Sequence, residues 1–324
     1  MPSTSRATPS AFVVVGAVVV IAGLLSLDVV GGLAYTAAVA AIAAAGAIVL
    51  ARRSGSDVAW LRGNVDPKDL GIVVGLYALI VAGFRLAFTV FTVANTWGLF
   101  LTFAASLLLG VVAPIVYTVW VRQRPLASLG IGFGDWRATL SLALTFAGVQ
   151  FAVTLARIEY PQPEIWLPLL VMALVVGAFE SVFFRGFIQN RLEASFGLAP
   201  AVAVAAGLYG LYHVGYGMGL EEIGFLVGLG IVYAVAFRVA GSVLVLWPLL
   251  IPLGSFFNQL QASDLVLPLE AILGFVDIFG LMVGAIWLAA RHERRLTHPS
   301  VEPMNRIAPS GALISALRST TPRP

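Results

Sequence analysis

Long apolar stretches, each bounded by charged residues or proline, dominate this chain of 324 residues. About ten of them have the length of roughly 17–25 residues that a helix needs to cross a bilayer. Only 11% of the residues are charged and 60% are hydrophobic, whereas a soluble domain carries about 25% charged residues. This composition excludes an ordinary soluble domain, a disordered chain and a nucleic-acid binder. It predicts an all-α, polytopic transmembrane helical bundle, a multi-pass protein of the cell membrane.

The predicted spans follow the apolar runs between polar interruptions. They are Ala11–Leu27, Gly32–Ala51, Leu70–Val93, Trp97–Val121, Ala138–Ala156, Trp166–Ala194, Pro200–Tyr216, Ile223–Val239, Ser242–Leu260 and Leu265–Ala290. A signal peptide is the alternative interpretation of the first run. Its 17 apolar residues, and the second run directly behind it, favour a retained helical hairpin.

The distribution of basic residues predicts the orientation of the bundle. Ten spans place both termini on one side, and with that side cytoplasmic, 16 of the 19 Lys and Arg residues fall in cytoplasmic segments. One, Arg157, falls outside, and Arg85 and Arg185 lie at membrane depth. Because cytoplasmic loops of membrane proteins are enriched in Lys and Arg, both termini are expected in the cytoplasm.

Ionisable side chains inside the predicted spans are the candidates for function, because such groups are unfavourable in lipid unless they are paired or hydrated. These residues are Arg85, Glu180, Arg185, His213, Glu270 and Asp277. Glu180 and Arg185 are five residues apart, about 140° around an ideal helix. That spacing excludes the usual i,i+4 ion pair. We therefore expect Glu180 to face the bundle and Arg185 to reach toward the cytoplasmic interface.

Three further patterns follow along the chain. Tyr209 and His213 are spaced i,i+4, which places both on one helix face. Gly224-x-x-x-Gly228 predicts a close helix contact. Asn258 follows two prolines that predict a kinked helix. Glu180 as a structural partner of an arginine, His213 as a satisfied hydrogen-bonding residue and Asn258 as a cap remain open alternatives to catalytic roles.

Taken in order, these motifs resemble those of the CPBP family, the CAAX protease and bacteriocin-processing membrane proteases, which include the type II CAAX prenyl endopeptidases. The family motifs are Glu-Glu-x-x-x-Arg, Phe-x-x-x-His and His-x-x-x-Asn. They are matched here by Glu180-Ser181-x-x-x-Arg185, by Tyr209-x-x-x-His213 and, at its last position, by Asn258. The resemblance covers roughly residues 120–260.

The resemblance implies an intramembrane endopeptidase that hydrolyses a membrane-associated protein or peptide at a site open to the cytoplasm. Prenylated CAAX C-termini, bacteriocin leaders and other membrane-associated peptides are the substrates that it leaves open. It implies Glu180 as the general base for water and Arg185 as an orienting, charge-balancing residue. His213 would hold water or stabilise the oxyanion, and Asn258 would donate to the oxyanion. Tyr209 and Ser181 are the expected binding residues. The partners implied are this substrate and the lipid bilayer.

Two departures from the family pattern bear on cofactors. Ser181 replaces the second glutamate, and Gly254 stands four residues before Asn258, where the third motif has histidine. A catalytic zinc needs about three protein ligands. The chain has no cysteine and three histidines, of which His292 and His298 lie beyond the last predicted span. A divalent metal such as zinc would have only His213 and Glu180, so the ligand set is incomplete and the cofactor is unknown.

The sequence leaves two other functions open. A catalytically degenerate family member would bind membrane peptides in the same cavity. A transporter would use Arg85, Glu180, Glu270 and Asp277 as a polar pathway. The predicted organisation is a hairpin at 1–51, a loop with two spans at 52–137, a protease-like core at 138–290 with motifs at 177–258, and a basic cytoplasmic tail at 291–324.

Overall fold

The structure is a computed structural model, and it describes residues 32–54, 59–61, 63–91, 96–132, 136–262 and 265–297. Over these ranges the regular structure is helical and no strand occurs. The predicted all-α class is therefore confirmed. The predicted first span, Ala11–Leu27, lies outside the described residues.

Ten helices organise the described part of the chain, several of them extended by π or 3₁₀ turns. They are α1 Gly32–Ser54, α2 Pro67–Leu86, α3 Thr96–Leu107, α4 Trp136–Val153, α5 Pro163–Glu180, α6 Asn190–Phe196, α7 Leu198–Leu211, α8 Leu220–Ala240, α9 Leu250–Ala262 and α10 Ala271–Thr297. A π-helical segment, Ser181–Gln189, joins α5 to α6 without a break. A 3₁₀ turn, Tyr212–Tyr216, extends α7.

Six of these continuous helices, among the described residues, are long and apolar enough to cross a membrane. They are Pro67–Phe91, Trp97–Val121, Pro163–Phe196, Leu198–Tyr216, Leu220–Ala240 and Ala271–Leu296. Each corresponds to a predicted span, and together they support a multi-pass membrane protein. The total of ten spans and the cytoplasmic placement of the termini stay predictions.

The predicted span Ser242–Leu260 is interrupted, as its two prolines predicted. A 3₁₀ turn, Val243–Val245, comes first, and α9 begins only at Leu250 and has 13 residues. Pro248 and Pro252 explain the interruption, because proline lacks the N–H that a helix interior requires. The prediction that Glu270 lies inside a span is wrong, because Glu270 lies in the turn before α10.

Charged groups connect the start of α2 to the end of the second membrane-length helix, Trp97–Val121. Asp66 caps α2 by accepting hydrogen bonds from the backbone N–H groups of Lys68 and Asp69. The buried Asp69 carboxylate lies 3.1 Å from Arg122 Nε and accepts a 2.8 Å hydrogen bond from the Tyr117 hydroxyl. Because one partner of this ion pair is desolvated and further hydrogen-bonded, it is stronger than an exposed pair.

The helix that runs from α5 through the π segment to α6 is the centre of the bundle. Its membrane-length window is 67% buried, the highest share among the six. All nine residues of Ser181–Gln189 are buried. Two glycines set the spacing of its neighbours: a Cβ on Gly177 would lie 2.6 Å from Pro252 of α9, and one on Gly186 would lie 2.4 Å from the Leu129 carbonyl oxygen.

We expect Gly186→Ala to destabilise the protein by about 1–3 kcal/mol, the range for an overpacked core. The added methyl meets backbone rather than a flexible side chain, and the adjoining Ser128 carbonyl is held by Asn190 at 2.9 Å. Thermal unfolding of the purified protein in detergent measures the effect. Gly224→Ala is the matched control, because a Cβ there meets nothing within 4 Å and alanine favours a helix. Equal unfolding temperatures for the two variants would contradict the predicted contact.

Candidate functional site

Two tyrosine hydroxyls hold the buried carboxylate of Glu180 at the end of α5. The Tyr209 hydroxyl donates to Oε2 at 3.2 Å, and the Tyr212 hydroxyl donates to Oε1. Glu180 is 4% exposed, and both hydroxyl bonds are buried. Each hydrogen bond to a charged group contributes about 1.5–3 kcal/mol, which offsets part of the desolvation penalty of the carboxylate. One lone pair on each oxygen stays available for a further donor.

The spacing of the tyrosines explains how α7 presents both hydroxyls. Tyr209 and Tyr212 are three residues apart, so they share one face of α7 and the start of its 3₁₀ extension. The Tyr216 ring lies next to that of Tyr212, with the centroids 5.6 Å apart. Two glycines let neighbouring helices approach this face closely. A Cβ on Gly210 would lie 2.4 Å from Val227 of α8, and one on Gly215 would lie 2.9 Å from Phe84 of α2.

His213 is buried beside the same tyrosines. Its Nδ1 lies 2.9 Å from the Tyr209 carbonyl oxygen, and its ring centroid lies 4.0 Å from that of Tyr212. A carbonyl oxygen only accepts, so this bond assigns the proton to Nδ1 in the neutral ring. Nε2 then carries the lone pair and can accept a hydrogen bond from water. The predicted pairing of Tyr209 and His213 on one face agrees with this arrangement.

The structure corrects the prediction that Arg185 reaches toward the cytoplasmic interface. Arg185 is 1% exposed, and its guanidinium lies over the Tyr209 ring, 5.1 Å from the centroid. The prediction assumed 3.6 residues per turn, whereas residues 181–189 are π-helical. A π-helix bonds residue i to i+5, which brings residues five apart onto nearly the same face. Arg185 therefore turns inward, toward the side of the helix that carries Glu180.

The Arg185 guanidinium nevertheless has no ionic partner among the described residues. Its Nη1 and Nη2 atoms are buried without a hydrogen-bond partner, and Glu180 is not within 4.0 Å of it. The contact with Tyr209 is a cation–π interaction, worth about 2 kcal/mol where it is desolvated. This stabilisation is smaller than the desolvation penalty of an unpaired buried ion, which is several kcal/mol.

The remaining predicted residues differ in their surroundings. Ser181 is buried, and its Oγ has no hydrogen-bond partner within the described part of the chain. Asn258 is exposed on α9. At Gly254, where the resemblance expects histidine, a Cβ would lie 3.1 Å from the side-chain amide of Gln150 and 3.6 Å from the Tyr233 hydroxyl. The side chains of α4 and α8 therefore occupy the space next to this position.

The four residues of the transporter hypothesis differ in their exposure. Arg85, Glu270 and Asp277 are exposed, whereas Glu180 is buried. Arg85 reaches the Val214 carbonyl oxygen at 3.4 Å. The structure thus separates the four residues on which that hypothesis depended into one buried group and three exposed ones.

The side chains around Glu180 do not fit a zinc site with three protein ligands. In the ranges that the structure describes, no three His, Cys, Asp or Glu side chains come together in a way that could hold a metal ion. The groups that contact the carboxylate are two phenols, which are hydrogen-bond donors here. Glu180 is therefore contacted by hydrogen-bond donors and not by further metal ligands.

Sequence reasoning missed Tyr212, the second donor to Glu180. The signal was present in the Tyr-x-x-Tyr-His-x-x-Tyr pattern of residues 209–216, because positions three and four apart share a helix face. Their apolar context made Tyr212 and Tyr216 look like ordinary packing residues. Only the position of Glu180 opposite them distinguishes a hydroxyl that donates to a carboxylate from a ring that fills space.

A known protein family matches about a quarter of the chain. Residues 162–250 match the family described as type II CAAX prenyl endopeptidase Rce1-like. The matched segment contains Glu180, Arg185, Tyr209 and His213, and the match confirms the resemblance to the CPBP family that the motifs indicated. No curated protein and no solved structure matches the chain.

We expect Tyr209→Phe and Tyr212→Phe each to lower the free energy of unfolding by about 1–3 kcal/mol, because each leaves a buried carboxylate oxygen without its donor. Thermal unfolding measures the loss, and Tyr160→Phe, at a tyrosine that is 41% exposed, is the control. Repeating Tyr212→Phe in a Glu180→Gln background forms a double-mutant cycle. Additive effects in that cycle would argue against a direct bond between the hydroxyl and the carboxylate.

Proposed function

We propose that this protein is an intramembrane endopeptidase of the CAAX-protease type. The family match at 162–250 supports a protease, and the finer assignment is ours. In it, Glu180 activates a water molecule that hydrolyses a peptide bond near the C-terminus of a membrane-associated, prenylated protein. The observation that carries the proposal is the Glu180 carboxylate, held by two phenol hydroxyls next to a buried His213 within the matched segment.

The proposed reaction is a water-mediated hydrolysis in which Glu180 first accepts a proton. The carboxylate removes a proton from water, and the resulting hydroxide forms a bond to the scissile carbonyl carbon. The tetrahedral intermediate then collapses, the C–N bond breaks, and the proton on Glu180 passes to the leaving amine. The hydroxyls of Tyr209 and Tyr212 fix the carboxylate in one orientation, which lowers the entropic part of the activation barrier.

His213 is assigned to holding the water rather than to donating a proton. With Nδ1–H bonded to the Tyr209 carbonyl, Nε2 of the neutral ring accepts a hydrogen bond from the same water that Glu180 deprotonates. This choice decides between the two roles that the resemblance left open. The oxyanion is assigned to Asn258, whose exposed amide on α9 is accessible to a substrate and supplies the N–H donor that a developing oxyanion requires.

Arg185 is assigned to the substrate complex. Its two unpartnered nitrogens keep their hydrogen-bonding capacity for an anionic or carbonyl group brought in with the peptide. The contact with Tyr209 links the arginine to the same phenol that holds Glu180. A substrate group bound at Arg185 would therefore lie one aromatic ring away from the carboxylate.

A second function, binding of membrane peptides without cleavage, is favoured by two specific residues. Ser181 stands where the family motif has its second glutamate, and Gly254 stands where it has histidine. A protein that had lost catalysis would keep the cavity and its affinity for peptides. The two functions differ in whether the wild-type protein releases a cleaved product.

We expect Glu180→Gln to lower the cleavage rate about 10²–10⁴-fold, the usual contribution of a general base. The assay uses the purified protein in liposomes and a fluorescent peptide in which a prenylated cysteine is followed by three C-terminal residues. Glu222→Gln is the matched control. Glu222 accepts a bond from the Gly219 N–H at the start of α8, a capping role that glutamine also performs.

Cleavage by Glu180→Gln at the wild-type rate would contradict the assigned base. Binding of the peptide without cleavage by the wild-type protein would favour the second function. Equal peptide affinities of the wild-type protein and Glu180→Gln would then confirm that the carboxylate is not needed to hold the peptide.

We expect Arg185→Met to raise the unfolding temperature while lowering cleavage, because it removes a buried charge that has no carboxylate within 4.0 Å among the described residues. Arg191→Met is the comparison, since Arg191 is equally buried but donates a 2.6 Å hydrogen bond to Thr118. That variant should lower the unfolding temperature. Thermal unfolding and the cleavage assay are measured together, and a drop in stability for Arg185→Met would assign the arginine a structural role instead.

A further inference from the structure

The C-terminal end of α10, which the charge distribution predicts to be cytoplasmic, carries a group of exposed arginines on one face of the helix. Trp287, Arg291, Arg294 and Arg295 together line a single surface cavity of about 460 Å³. Their spacing of four, three and one residues places them on one side of the helix. The Arg291 guanidinium lies over the Trp287 ring, 5.3 Å from the centroid, which positions that cation at the wall of the cavity.

The length of α10 places this cavity at the surface of the bilayer. The apolar segment Ala271–Leu296 has 26 residues, about 39 Å at 1.5 Å per residue, whereas the hydrocarbon core is about 30 Å thick. The last turns therefore extend into the headgroup layer. Counted from Ala271, a core of about 30 Å takes about 20 residues and ends near Arg291. Trp287 lies one turn before this boundary, close to the depth at which tryptophan is enriched in membrane proteins. Only 11% of the helix window is buried by protein, so lipid can reach this face.

The neighbouring charges leave the cavity positive. Arg122 and Arg124, on the adjoining segment, are within 4.0 Å of Asp66 or Asp69. Among the described residues, no carboxylate lies within 4.0 Å of Arg291 or Arg295. The acidic Glu293 of the same helix turn accepts a hydrogen bond from the Leu126 N–H, on the side where His292 stacks on Trp120.

From these observations we infer that the cavity lined by Trp287, Arg291, Arg294 and Arg295 binds the phosphate group of an anionic phospholipid. Guanidinium groups bind phosphate oxygens with paired hydrogen bonds. The acyl chains would lie along the exposed apolar face of α10, and the tryptophan would cover the glycerol region. This site is separate from Glu180 and does not depend on the proposed peptidase activity.

Native mass spectrometry of the full-length protein in detergent tests the site by counting bound lipids. Phosphatidylglycerol is compared with phosphatidylcholine and with inorganic phosphate. We expect phosphatidylglycerol to bind and the other two to bind at least tenfold more weakly. The variant R291Q/R294Q/R295Q should lose about 100-fold in affinity, at about fivefold per arginine near an anionic surface.

Arg137→Gln is the matched control, because Arg137 also lies over a tryptophan, Trp136, at 5.5 Å but does not line this cavity. It should leave the affinity unchanged. The single variant Arg295→Gln, expected to lose about fivefold, replaces the triple variant if the latter does not fold. Unchanged phosphatidylglycerol affinity in the arginine variants would overturn the site. Inorganic phosphate or phosphatidylcholine binding as tightly as phosphatidylglycerol would overturn its assignment to an anionic lipid.

Discussion

The bond between the Glu180 carboxylate and two phenol hydroxyls is the interaction on which the site depends. A carboxylate at this depth is unfavourable unless it is hydrogen-bonded, and Tyr209 and Tyr212 supply one donor to each oxygen. Both donors come from α7 and its 3₁₀ turn, so the bond also fixes the rotation of α7 relative to α5. That rotation carries His213 to the same buried region, because its Nδ1 is tied to the Tyr209 backbone.

Arg185 is the part of the site that stability does not explain. A buried cation normally faces a carboxylate, yet here the buried acid is satisfied by phenols and the guanidinium nitrogens have no partner among the described residues. An apolar side chain of similar volume would fit the same space at lower free energy. Retaining an arginine there is understandable if the unsatisfied donors bind a group that arrives with the substrate.

Apolar periodicity was sufficient to predict most of the helices but not the contacts between them. The predicted run Trp97–Val121 coincides with the observed helix segment, because the hydrophobic length of a span is a local property. Rotation about the helix axis is not local. The π-helical turns after Glu180 turned Arg185 inward, and the close contact with α8 uses Gly210 rather than the predicted Gly224. Likewise, the role of Tyr212 as a donor follows only from the position of Glu180, which lies opposite it on another helix.

Gly254 stands where the third family motif has histidine, and side chains from α4 and α8 occupy the space next to it. In the orientation that satisfies its amide, Gln150 donates to the Leu250 carbonyl at 3.1 Å and accepts from the Gly254 N–H at 3.0 Å. These two hydrogen bonds attach the first turn of α9 to α4. A side chain at Gly254 would press on Gln150 and approach the Tyr233 hydroxyl. The Tyr233 ring packs on Tyr209, with the ring centroids 5.9 Å apart. The space beside Gly254 is thus occupied by the Gln150 amide and the Tyr233 phenol, and the proposed activation of water uses Glu180 as the base and His213 to hold the water.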